Sequence, residues 1–232
     1  MMKMKERKIL WLTVMELLEM ITAAVAMVFT DATGKSLVLG GAIALAGASL
    51  FTWSGGFSRM EREGLLTLGG PYKFVRHPWI LARFLMVFGV ILMARLPVLF
   101  LLAMVGLGPM YRRMWRKEDQ WLVAQIGPVA AEYRAFVSGF VPQFLPAKLP
   151  VSGKHTLTDT FSWRRAFWKR PGRGGPAFLG VIGTILGMAI WTEHWTPLWI
   201  WRVGSTILTC LCIFWTIRDH ARWQSLRKTS NL

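Results

Sequence analysis

Residues 76–117 read RHPWILARFLMVFGVILMARLPVLFLLAMVGLGPMYRRMWRK. Two mostly apolar runs, 79–94 and 97–111, meet at the corner Arg95-Leu96-Pro97, and four cations, Arg112, Arg113, Arg116 and Lys117, close the second run. This pattern predicts a helical hairpin lodged in lipid with both open ends on one side, because only helices or closed barrels satisfy their backbone there. A bilayer span takes roughly 20 apolar residues, fewer where paired spans pack tightly. Four more runs qualify, at about 9–29, 37–53, 177–192 and 198–217. The first carries Glu16 and Glu19 and has no small-residue cleavage site after it, so it reads as a retained span rather than a signal peptide.

The composition fits the hairpin. Of 232 residues, 53% are hydrophobic and 17% charged, yet the formal net charge is +16. Soluble domains carry about 25% charged residues, and a mean hydropathy of +0.39 is foreign to them. A disordered basic tail would need low hydrophobicity, and a disulfide-stapled secreted module many cysteines; both are excluded. Cys210 and Cys212 share one apolar run and read as packing residues.

Charge placement then sets orientation. Cations cluster before the first run (Lys3, Lys5, Arg7, Lys8), after the second (Arg59, Arg62, Lys73, Arg76), after the fourth, before the fifth (Arg164, Arg165, Lys169, Arg170, Arg173) and after the sixth (Arg218, Arg222, Arg227, Lys228). The opposite side holds only Lys35, Arg95 and Arg202 in or beside its short connections. Lys and Arg stay cytoplasmic, so the expected fold is an all-α polytopic bundle of about six transmembrane helices with a cytoplasmic cofactor site. Both termini are expected in the cytoplasm and the chain in the inner (plasma) membrane. It divides into two N-terminal spans (1–53), a core carrying the hairpin (54–146), a basic interfacial segment (147–176) and two C-terminal spans with a tail (177–232). In the interfacial segment Phe161, Arg164, Arg165 and Trp168 recur at helical spacing ahead of a span, which fits aromatics at headgroup depth rather than nucleic-acid stacking. The cations meet membrane lipids, and no nucleic-acid partner is expected.

Between 53 and 146 the sequence carries ordered motifs: Trp53-Ser54, Gly69-Gly70-Pro71-Tyr72, Arg76-His77-Pro78, the hairpin, Glu118-Asp119-Gln120-Trp121-Leu122, Ile126-Gly127, Glu132-Tyr133-Arg134-Ala135-Phe136 and Val141-Pro142-Gln143-Phe144-Leu145-Pro146. This order resembles the superfamily of isoprenylcysteine carboxyl methyltransferase and the phospholipid methyltransferases, integral membrane enzymes. The family tyrosine after Arg-His-Pro is Ile80 here, its glycine Ala82, its second glutamate Asp119 and its second tyrosine Phe136. The resemblance implies S-adenosylmethionine as methyl donor, Arg76, His77 and Glu118 as catalytic residues, and Gly70, Tyr72, His77, Pro78, Trp79, Glu118, Asp119, Leu122 and Tyr133 around the donor.

These residue types suit that chemistry. Pro78 at the first turn of a helix loses nothing by lacking an N–H, which sets His77 ahead of a helix N-terminus whose amides favour an anion such as the donor's carboxylate. Arg76 adds a fixed charge there; its structural alternative is an interfacial, snorkelling arginine with His77 as a simple cap. Glu118 would hold the donor's ammonium or ribose, or else join an ion-paired solvated face beside the basic cluster. Tyr72, Trp79, Trp121 and Tyr133 could cover the adenine or face the sulfonium. In-line displacement at a sulfonium needs positioning rather than a metal or nucleophilic side chain. The sequence offers no His/Cys cluster at metal spacing.

Arg83, two turns beyond Arg76 on nearly the same face, and Arg112 are candidates for contact with the acceptor. Glu16 and Glu19 have two open readings: a salt bridge to Arg83 or another cation at similar depth, or a site for an amine headgroup. The acceptor is a lipid or lipophilic small molecule with a carboxylate, amine or thiol. The alternatives are an NADPH-dependent reductase of the sterol or steroid type and a non-catalytic lipid-binding scaffold. Gly180, Gly183 and Gly187 offer a close-packing stripe, compatible with a homodimer.

Overall fold

Five of the α-helices begin at a proline or glycine. The computed structural model of the chain describes residues 2–57, 66–147, 156–157, 161–167 and 175–193. Over these it is mostly helical, as the apolar runs require. Helix α1 spans Met2–Val28 and α2 spans Gly34–Phe57. Between them Thr33 and Ser36 cap each other, the Thr33 amide donating to Ser36 Oγ at 2.9 Å. Ser36 Oγ also donates to the Met93 carbonyl (3.0 Å), tying this corner to the hairpin. Helix α2 is long and apolar enough to cross a membrane, and Leu17–Val28, Pro78–Ala94 and Ala177–Ala189 are shorter apolar stretches.

The hairpin is present, with one difference in length. Helix α3 spans Pro78–Ala94, with Pro78 at its first position as expected, and ends at Arg95, whose left-handed backbone (φ 56°) turns the chain toward Pro97. Helix α4 does not stop at residue 111: it spans Pro97–Ile126 without a break, 30 residues. From Met110 onward that stretch has no glycine or proline and is rich in Arg, Lys, Glu, Gln and Leu, all good helix formers. At 1.5 Å per residue α4 is about 45 Å long, well beyond a bilayer core of about 30 Å. Its C-terminal half therefore carries the basic cluster and Glu118-Asp119 as a stalk.

Helix α2 lies along α3 in the most extensive helix contact among the described residues. Small residues make it possible. A Cβ at Gly89 would fall 2.5 Å from the Ala44 amide, one at Gly40 2.6 Å from the Gly89 carbonyl, and one at Gly47 2.8 Å from the Ala82 carbonyl. The sequence-singled stripe behaves differently, since Cβ atoms at Gly180 and Gly183 would meet open space. Helix α7, Gly175–Glu193, packs on α2 through Val181, beside Ala44 and Ala48.

Beneath this bundle sits a smaller layer. Helix α5, Pro128–Phe136, follows the turn at Gly127 (φ 74°). Strands β1, Leu66–Thr67, and β2, Thr156–Leu157, pair in parallel. Helix α6, Trp163–Phe167, lies within the expected interfacial segment; Trp163 is exposed while Phe161 packs on Phe57 and Gly56. The expected sixth span, Cys210, Cys212 and the basic tail lie outside the described residues, as does the side chain of Glu16.

Candidate functional site

The loop from Gly69 to His77 leads into α3. Gly70 has φ 54°, and the Phe57 ring occupies the place where its side chain would be, so only glycine fits. A single turn of 3-10 helix, Gly70–Lys73, follows. Its Tyr72 carbonyl accepts a 2.7 Å hydrogen bond from the Tyr133 hydroxyl. The segment after α5, residues 137–147, straps the other side: the Arg76 amide donates to Ser138 O at 2.8 Å, the Gln143 amide to Phe74 O at 2.9 Å and the Ala147 amide to Lys73 O at 3.0 Å.

At the centre is Asp119, buried at 6% exposure on α4. His77 Nε2 lies 2.7 Å from Oδ1; Arg76 Nη2 donates to Oδ2 at 2.9 Å, and Trp115 Nε1 donates to Oδ2 at 3.1 Å. Arg76 Nε is 2.8 Å from Oδ1 but out of line for a hydrogen bond, so that contact is purely ionic. Arg76 Nη1 reaches past the carboxylate to the carbonyls of Arg134 (2.9 Å) and Val137 (3.0 Å). An ionised carboxylate only accepts, so Nε2 carries the proton in the His77 contact. Burial raises the Asp119 carboxyl, but the hydrogen bond and charge of His77 and the Arg76 guanidinium outweigh it and hold the group below its ordinary value. Burial chiefly pushes the Tyr133 hydroxyl up, so it stays a donor.

The sequence-predicted residues thus separate into three groups. Arg76, His77, Pro78 and Asp119 are buried and mutually engaged, and the first-turn amides of Ile80 and Leu81 turn back to the His77 carbonyl at 3.1 and 3.2 Å. Tyr133 and Leu122 pack in one cluster with Leu66, Leu68 and Val137, while Trp79 packs against the hairpin core around Ile80. Tyr72 and Glu118 are half-buried at the rim, and Arg112 is exposed on the stalk. Asp119, read from sequence as a donor contact beside a catalytic Glu118, is the hub that holds the loop, and Glu118 stands half-buried next to it in the chain.

Two turns deeper lies a second polar cluster. Arg83 grips Glu19 through Nη2–Oε2 at 2.7 Å and Nε at 3.1 Å from both oxygens, and the Tyr111 hydroxyl donates to Glu19 Oε1 at 2.6 Å. Of the two readings for Glu19, the salt bridge to Arg83 is formed. Sequence reasoning missed Trp115 and Tyr111. They were legible as a stripe, since Tyr111, Trp115 and Asp119 recur every four residues on one face of α4. Gly139 was not legible: its Cβ would strike the Trp115 ring at 2.3 Å, a contact between distant segments. Arg134 is likewise close, with Nε 3.9 Å from Asp119 Oδ2 and a side chain 57% exposed. Among the described residues no group of His, Cys, Asp and Glu could hold a metal ion. Comparisons with protein-family models, curated proteins and solved structures gave no match.

Proposed function

We propose that this protein is a polytopic membrane methyltransferase of about six spans. It would use S-adenosylmethionine to methylate a carboxylate, amine or thiol of a lipophilic acceptor at the cytoplasmic membrane face. The observation that supports this most is convergence: Tyr72, Arg76-His77, Asp119 and Tyr133, far apart in sequence, fold into hydrogen-bonded contact at the end of a helical hairpin, with Pro78 and Glu118 adjoining them in the chain. The apolar helix α2, the three shorter apolar stretches and the one-sided basic charge favour a membrane setting.

The donor set fits the methyl donor, with one reassignment. Arg76 is committed to Asp119 and two carbonyls, so the donor's carboxylate falls to Arg134, largely exposed beside the hub. Glu118 supplies the anion for the ammonium or ribose, and Tyr72 the aromatic face at the rim. The donor contributes an electrophilic methyl group on a sulfonium. The hub contributes rigidity: it fixes the loop that carries Tyr72 against the helix that carries Glu118, as in-line positioning requires.

Titration calorimetry of the purified protein with S-adenosylhomocysteine tests this. Binding is expected in detergent or lipid; absence in both sinks the reading. Arg134→Ala should weaken it about ten-fold, the weight of one charge-assisted hydrogen bond of about 1.5 kcal/mol, and Glu118→Ala should weaken it likewise. The engagement of Arg76 and His77 within the protein also favours a non-catalytic, lipid-binding scaffold. On that reading no donor binds, and Glu118→Ala leaves the cellular phenotype intact.

A further inference from the structure

The strap over residues 137–147 holds the loop ahead of α3 with its backbone, yet it turns three large apolar side chains to the outside. Phe144 is fully exposed, and Leu145 and Val141 are 78% and 68% exposed. Phe136, at the end of α5, and Trp121, on the stalk, add 48% and 42% exposed surfaces. Single exposed apolar residues are ordinary; an aromatic and two aliphatics within five residues at the site's edge are not. Pro142 and Pro146 bracket Phe144 and Leu145, which limits the ways this segment could fold back to hide them.

Their surroundings are cationic. The Lys73 carbonyl binds the strap at Ala147, and Arg134 lies two residues ahead of Phe136; both side chains are exposed. Arg112, Arg113, Arg116 and Lys117 are exposed along the same stalk as Trp121, and Glu132 is the exposed acid on α5. A water-facing loop would be expected to carry polar tips, and a docking face for a basic or neutral protein would not be flanked by elements rich in exposed cations. Apolar tips together with exposed cations match an anionic lipid surface, where side chains enter the acyl boundary and the cations meet headgroups.

We propose that the 137–147 strap is a lipid-inserting loop, with Val141, Phe144 and Leu145 entering the cytoplasmic leaflet and Lys73 and the α4 cations binding anionic headgroups. The same strap accepts hydrogen bonds from the Arg76 and His77 amides and from the Arg76 side chain. An anionic membrane surface would therefore hold the loop, and with it the Asp119 hub, in place. This inference needs the membrane setting but not methyl transfer.

The test uses the full chain with Cys210 and Cys212 replaced by serine, a cysteine at Phe144 or, in a second variant, at Leu145, and an environment-sensitive fluorophore on it. The protein is reconstituted in vesicles of phosphatidylcholine with or without phosphatidylglycerol. A blue-shifted emission quenched by nitroxide-labelled lipid, and stronger with phosphatidylglycerol, is the expected result; a Glu132→Cys label should stay water-like and unquenched. Emission at both strap positions equal to the Glu132→Cys control overturns the proposal. So does a blue shift that lipid nitroxide leaves unquenched, which would mean a second copy or another protein segment covers the strap. Donor binding is read separately by calorimetry, so failure of either idea leaves the other standing.

Discussion

Asp119 shows how much one side chain can organise. It takes hydrogen bonds from Trp115 and Arg76 and a close contact from His77, and it offsets the charge of a guanidinium that is 6% exposed. Removing it leaves a buried cation without a counter-ion, a loss of about 3–5 kcal/mol. Asp119→Ala should therefore lower the melting temperature sharply in detergent, more than Trp115→Phe, which forfeits one hydrogen bond to a charged group worth about 1.5–3 kcal/mol. The sign of the pH dependence follows from a carboxyl held below its ordinary value of 3.8. Its stabilisation is fully present above that value and is lost as pH falls through the lower folded value. Thermal melts from pH 6 downward should show an acid-side loss that is smaller in Asp119→Asn. Sequence placed Asp119 within the site but gave it a ligand role, because its burial depends on where the 137–147 strap and the α3 loop close over α4.

Among elements, the two ways helices meet predict opposite sensitivities. The α2–α3 contact has backbone against backbone at Gly40, Gly47 and Gly89, so a larger side chain must push the helices apart. Gly89→Leu should cost more than the roughly 1–3 kcal/mol typical of overpacking, whereas Gly183→Ala, facing open space, should leave the melt unchanged. Paired thermal melts of the two variants check this. The α1–α3 contact adds the Glu19–Arg83 ion pair to apolar packing of Met15, Ala26 and Met27. Either single change to leucine strands a charge in apolar surroundings at about 3–5 kcal/mol, and the Glu19→Leu/Arg83→Leu pair should recover much of that loss. The apolar runs, the Pro78 start and the Arg95 corner were readable because local propensity decides them. The partner of Gly40 was not, because small residues occur throughout apolar helices and only packing shows which of them touch.

For the whole molecule, the distribution of charge is the strongest statement about placement. With Cys210 and Cys212 replaced by serine, a cysteine at Lys35 should be labelled by an impermeant maleimide from outside intact cells, and one at Arg116 only after lysis. Labelling of both from the same side would overturn the proposed six-span arrangement. The length of α4 adds a feature that composition did not contain. One continuous helix leads from the hairpin corner to Ile126, so the hub is rigidly coupled to the apolar part of the fold.

What the sequence determined by itself is local and additive: which runs are helical and apolar, where cations gather, where a proline starts a helix, and which polar residues stand together in motifs. Each follows from the hydrophobic effect, from propensity and from charge, which act on neighbours in the chain. The tertiary structure alone decided which of those polar residues are used by the protein itself. Arg76 and His77 are engaged by a carboxylate 43 and 42 residues away, Gly139 is required by Trp115, and Phe144 is left bare. Engagement and exposure are properties of chain segments brought together in space, and buried polar groups must find partners wherever the fold supplies them.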